Sequence, residues 1–126
     1  MINRIQAARD CRRAAKLLYK RHLVNAYEGN VSIRVGDSIF ITPTQICKEL
    51  LTPDDLVEVD IASGAVIRAG KGRKPSSELK LHLCCYRNRG DAQAVAHAHP
   101  PYATSFALRC EPIETRGYPE LMLHYG

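Results

Sequence analysis

Residues 74–105 read KPSSELKLHLCCYRNRGDAQAVAHAHPPYATS, and this stretch decides the fold. Ser77–Arg89 has the spacing of a helix, with Glu78 in its first turn. Gly90-Asp91 breaks it, Ala92–His99 reads as a strand, and Pro100-Pro101 closes that strand. Residues two apart on a strand share a face, so His97 and His99 aim both imidazoles one way. A carboxylate at the start of the preceding helix, Glu78, is a candidate third donor. Two histidines and one carboxylate with an open position make a catalytic-type zinc set. Taken singly, each feature has a plainer reading. The macrodipole favours Glu78 at a helix start, Ser77 serves as an N-cap with Ser76 in reserve, and a lone H-x-H has low specificity.

Outward from there, residues 3–24 place Ile5, Ala8, Cys11, Ala15, Leu18 and Leu23 at helical spacing, and Tyr27-Glu28-Gly29-Asn30 ends the helix. Val31–Arg34 and Ser38–Ile41 flank Gly36-Asp37 as a β-hairpin. Its two ends, carrying Asn30 and Thr44, lie side by side although fourteen positions separate them. Cys47–Leu51 is a short turn or helix, and Thr52-Pro53-Asp54-Asp55 is a helix-start signal. Leu56–Ile61 and Ala65–Arg68 form a second strand pair, followed by a mobile Gly/basic loop over Ala69–Lys74. Tyr102–Arg109 is helical, Cys110–Tyr118 irregular, and Leu121–His124 a short strand-like apolar run. Strand pairs interrupted by helices predict an α/β chain with a mixed, mainly antiparallel sheet and helices packed on it.

The 126 residues suit one domain, residues 1–126, and 45% apolar content supplies a core. No window is long and apolar enough to span a membrane. The N-terminus lacks the apolar stretch of a secretion signal. Five cysteines without regular spacing read as reduced thiols in a cytoplasmic protein; Cys84-Cys85 reads as helix packing. The net charge of +5 gathers in the first helix and in Arg68, Lys71, Arg73 and Lys74. No interleaved aromatics accompany these cations, so nucleic acid is not the expected partner. A basic loop drawing in a small anionic substrate fits better.

Five segments then occur in order: Gly29-Asn30-Val31-Ser32-Ile33-Arg34, Ile41-Thr42-Pro43-Thr44, Leu51-Thr52-Pro53-Asp54-Asp55-Leu56-Val57, Pro75-Ser76-Ser77-Glu78 and Ala96-His97-Ala98-His99-Pro100. With this set the chain resembles the class II aldolase/adducin family over essentially its whole length. The resemblance implies a three-layer α/β/α architecture around a mixed sheet, and a homotetramer with sites at subunit interfaces. It implies Zn²⁺ or another divalent metal on Glu78, His97 and His99, with Glu78 also the catalytic acid/base. Substrate phosphate falls to Asn30, Thr44, Ser76 and Ser77, and Tyr118 lies near where a tyrosine reaches a neighbouring subunit's site. An amide, small hydroxyls and helix-start N–H groups do make an anion cradle.

The implied reaction is reversible cleavage of a ketose 1-phosphate, of the fuculose-phosphate type, to dihydroxyacetone phosphate and an aldehyde. Alternatives within the family are a sugar-phosphate 4-epimerase, a dehydratase, or a non-catalytic adducin-like assembly domain. One departure stands out. The family's third metal histidine lies well downstream of the H-x-H, and here only His124 follows. The expectation is therefore a domain lacking its C-terminal portion. His82 reads as packing and His22 as a helix-end residue; Cys47 and Cys110 have no evident partner.

Overall fold

The computed structural model describes residues 3–114 and 116–125. Helix α1, Arg4–Lys20, begins where the Asn3 side chain accepts the Ile5 N–H at 2.9 Å. It buries Ala7, Ala8, Cys11 and Ala15, small residues that let the helix axis approach the sheet closely. Ile5, expected on that stripe, is exposed. The helix stops earlier than the apolar pattern suggested. His22 takes a φ of +56°, and the N–H groups of His22 and Leu23 turn back onto Tyr19 and Leu18. That reversal is a left-handed C-terminal cap, normally a glycine position.

Five strands follow: β1 (Asn30–Val35), β2 (Ser38–Ile41), β3 (Val57–Asp60), β4 (Val66–Ala69) and β5 (Ala94–His97). They form one sheet in the order β4-β3-β2-β1-β5. All four pairings are antiparallel, so among the described residues the expected parallel component does not occur. Alternation along the strands divides the core into two. Val31, Ile33 and Phe40 face α1 with Leu51 and Leu56. Ile39, Ile41, Val57 and Val59 face the opposite helix α2 (Leu79–Asn88) through Leu83 and Tyr86. Helices on both faces give the expected three-layer arrangement.

The Thr52-Pro53-Asp54-Asp55 signal yields only a single 3₁₀ turn, because β3 begins directly after it. Asp55 is buried there. Burial opposes its ionisation, but hydrogen bonds from Thr52, Arg73 and Lys71 hold its carboxyl down at about 2. The Gly/basic loop is thus anchored, with Lys71 and Arg73 committed to Asp55. Helix α3 spans Pro101–Leu108, as expected. The run at Leu121–His124 is helical rather than extended, within α4 (Pro119–Tyr125). Cys84 is exposed, so it does not pack as expected, and Cys85 is half-buried. No helix among the described residues is long and apolar enough to cross a membrane.

Candidate functional site

The register of β1 and β5 sets Asn30 opposite His97. Next to them, Pro43 bridges Pro75, the Ser76 N–H donates to the Thr42 carbonyl at 3.2 Å, and the Thr44 N–H donates to the Lys74 carbonyl at 3.1 Å. These backbone contacts pin the segment leaving β2 against the segment entering α2. Four sequence-distant pieces therefore meet at one end of the sheet. Together they line a cavity of about 220 Å³ that includes Asn30, Thr44, Ser76, Ser77, Glu78, His97 and His99. Every phosphate, acid/base and metal candidate lines it. The inter-subunit candidate Tyr118 is exposed on the single chain and lies outside.

Gly29 makes the approach possible. Its φ is +70°, and a Cβ there would collide with Val24 and stand 2.9 Å from the His97 carbonyl oxygen. At the start of α2 the serines exchange the roles expected of them. The Ser76 hydroxyl accepts the Glu78 N–H at 3.2 Å, and Glu78 itself occupies the N-cap position. Ser77 and Glu78 are exposed side chains at the cavity's rim.

The ring centroids of His97 and His99 lie 4.8 Å apart, which matches the same-face expectation. His97 Nδ1 is buried and has no hydrogen-bond partner among the described residues. His99 Nδ1 lies 3.9 Å from a Glu28 carboxylate oxygen. An orphaned imidazole nitrogen beside a second imidazole fits a divalent cation by donor type. The structure does not, however, bring Glu78 into a three-residue group with them. Among the described residues no three His, Cys, Asp or Glu side chains are placed to hold an ion.

Two features of the cavity lining, and one buried beneath it, escaped the sequence reading. Lys48 is only 2% exposed, and its Nζ donates to the Tyr27 carbonyl at 3.2 Å. No carboxylate among the described residues pairs with it. Burial lowers its pKa, partly opposed by the Cys47 thiol. Glu28 stands by His99, as above. His82 is fully buried, with Nε2 at 2.5 Å from Asn30 Oδ1 and Nδ1 at 2.6 Å from Ser32 Oγ. Burial, and secondarily His97, push its pKa down to about 4, so it is neutral at ordinary pH. Its role is polar contact with the site as well as packing. The short Cys47–Leu51 turn gave no hint of Lys48, because a lysine between half-polar neighbours reads as a surface cation.

A family model described as "Class II Aldolase and Adducin N-terminal domain" matches residues 9–126. The chain is 42% identical over 92 residues to an L-fuculose phosphate aldolase of Methanococcus maripaludis, covering 73% of this chain and 48% of that protein. It is 39% identical over 95 residues to a probable bifunctional methylthioribose-1-phosphate isomerase/methylthioribulose-1-phosphate dehydratase of Nocardia farcinica, covering 75% of this chain and 17% of that protein. Its fold superposes on a solved L-fuculose 1-phosphate aldolase with a TM-score of 0.76 and 33% identity, covering 83% of this chain and 49% of that one. The chain spans about half the length of the aldolases it matches.

Proposed function

The chain belongs to the class II aldolase and adducin family, and from that premise we propose that it carries the phosphate-binding and imidazole-bearing part of a metal-dependent aldolase acting on a ketose 1-phosphate. One observation supports this above the others. Asn30, Thr44, Ser76 and Ser77 line the same cavity as His97, His99 and Glu78.

In this reading the phosphate sits against the Asn30 amide and the three hydroxyls, with the Lys48 ammonium completing its charge balance. Anchoring the phosphate fixes the ketose carbonyl and its neighbouring hydroxyl near the imidazoles. His97 and His99 would hold the divalent cation, which supplies Lewis-acid polarisation of the substrate oxygens when bound. Cleavage needs one hydroxyl to lose its proton as the C3–C4 bond breaks, leaving an enediolate that takes a proton at C3. Glu78, at the cavity rim, is the proposed proton carrier. A homo-oligomer belongs to the same proposal, in which Tyr118, exposed on the single chain, would reach a neighbouring copy's site.

The test is product analysis. Purified protein with Zn²⁺ is incubated with a panel of ketose 1-phosphates, and dihydroxyacetone phosphate is assayed with a coupled dehydrogenase. Release from at least one member is expected; silence across the panel overturns the aldolase reading. The similarity to the Nocardia protein, whose name includes a dehydratase, favours one second reading. A dehydratase would consume the sugar phosphate with loss of water and no triose phosphate.

A further inference from the structure

Four side chains beneath the cavity form an unbroken polar line through an otherwise apolar layer. The Tyr86 hydroxyl lies 2.8 Å from Ser32 Oγ, Ser32 Oγ lies 2.6 Å from His82 Nδ1, and His82 Nε2 lies 2.5 Å from Asn30 Oδ1. Ser32 and His82 are fully buried, Tyr86 is 2% exposed and Asn30 6%. We infer that His82 is a positioning residue. Through a one-way chain of hydrogen bonds, Tyr86 to Ser32 to His82 to Asn30, it fixes the Asn30 amide so that its NH₂ group, not its carbonyl, faces the anion in the cavity.

A neutral imidazole donates from one nitrogen and accepts at the other, so the line runs in one of two directions. In the first, Tyr86 donates to Ser32, Ser32 to Nδ1, and Nε2–H to Asn30 Oδ1. In the second every proton is reversed, and Asn30 presents its carbonyl to the cavity. The far end decides between them. Among the described residues the Tyr86 hydroxyl has one hydrogen-bond partner, Ser32 Oγ, and running forward gives the Tyr86 proton an acceptor there. Running in reverse leaves that buried proton with no acceptor among the described residues, an arrangement that folded proteins avoid. The forward direction uses every polar atom once. It leaves Asn30 Nδ2, which makes no hydrogen bond among the described residues, as a donor at a cavity that Asn30 lines. Two residues of β1 and two on one face of α2 thus set the polarity of a binding group.

This rests on the anion-cavity reading given above, and the tests separate the two. In protein labelled with ¹⁵N-histidine, long-range ¹H–¹⁵N NMR at neutral pH reads the tautomer directly. His82 protonated at Nε2 is expected; protonation at Nδ1 overturns the inference without any substitution. Calorimetric titration with inorganic phosphate is the second measurement. Losing a donor to a charged ligand is expected to weaken binding at least about tenfold in folded His82→Phe. The Ser32→Ala variant, which leaves the imidazole in place but frees its tautomer, is expected to weaken phosphate binding and to show a mixed His82 tautomer. If wild-type protein fails to bind phosphate, the anion-cavity reading falls and the positioning role with it. If wild type binds and folded Ser32→Ala or His82→Phe binds equally well, only the positioning role falls.

Discussion

Gly29 and His97 are held backbone to backbone at the mouth of the cavity: a Cβ on Gly29 would stand 2.9 Å from the His97 carbonyl oxygen and would collide with Val24. The left-handed φ of +70° adds its own penalty for any L side chain. Gly29→Ala is therefore expected to cost about 2–4 kcal/mol, combining the left-handed penalty with overpacking. Thermal or denaturant unfolding measures it. A loss under about 0.5 kcal/mol would mean that β1 and β5 do not approach as described.

Lys48 sets stability against binding. A buried ammonium without a carboxylate partner is costly to desolvate, and among the described residues the Lys48 ammonium donates to the Tyr27 backbone carbonyl alone. Lys48→Met keeps the length of the side chain and removes the charge. It is expected to leave the melting temperature unchanged or higher, while weakening inorganic phosphate by about tenfold or more. Unchanged phosphate affinity would assign Lys48 to clamping the 25–29 loop alone.

Much of this arrangement was legible in the sequence because it is encoded locally. The hairpin brings Asn30 and Thr44 together by strand pairing, and the short H-x-H spacing keeps the His97 ring, at the end of β5, within 4.8 Å of the His99 ring just beyond it. What stayed hidden depends on tertiary placement. The early end of α1 rests on the backbone angle of His22, which apolar periodicity does not report. A four-residue apolar run such as Leu121–His124 fits helix and strand equally. His82 sits one turn after Glu78, where a packing role and a polar role look the same until Ser32 and Asn30 are seen opposite it. Lys71 and Arg73 are pinned to Asp55, and among the described residues lining the cavity the lysine is Lys48.

His82 also predicts a pH dependence. Burial, and then His97, lower its pKa from the usual 6.5 to about 4 in the folded protein, so the folded state favours the neutral ring. The stabilisation is fully present above pH 6.5 and is lost as pH falls through about 4. The full difference is on the order of 3 kcal/mol. Asp55, held at about 2 against an ordinary 3.8, acts in the same sense but at lower pH. Urea unfolding between pH 7 and pH 4 is expected to show stability falling with acid, and His82→Gln is expected to flatten that slope. An unchanged slope in a folded variant would place the titration elsewhere.

The imidazole pair makes a prediction about metal that needs no turnover. His97 Nδ1 is buried without a partner among the described residues, and the two rings lie 4.8 Å apart. Glu78 lines the same cavity but forms no three-residue donor group with them among the described residues. Two imidazoles without a closing third ligand bind a borderline-soft ion far less tightly than a complete structural site. Titration of this chain with Zn²⁺ is therefore expected to show about one weak site. His97→Ala and His99→Ala should each abolish it, while Glu78→Gln should change it by less than about threefold. If Glu78→Gln removed the zinc as completely as either histidine variant, the carboxylate would be a full ligand that closes onto the ion when it binds.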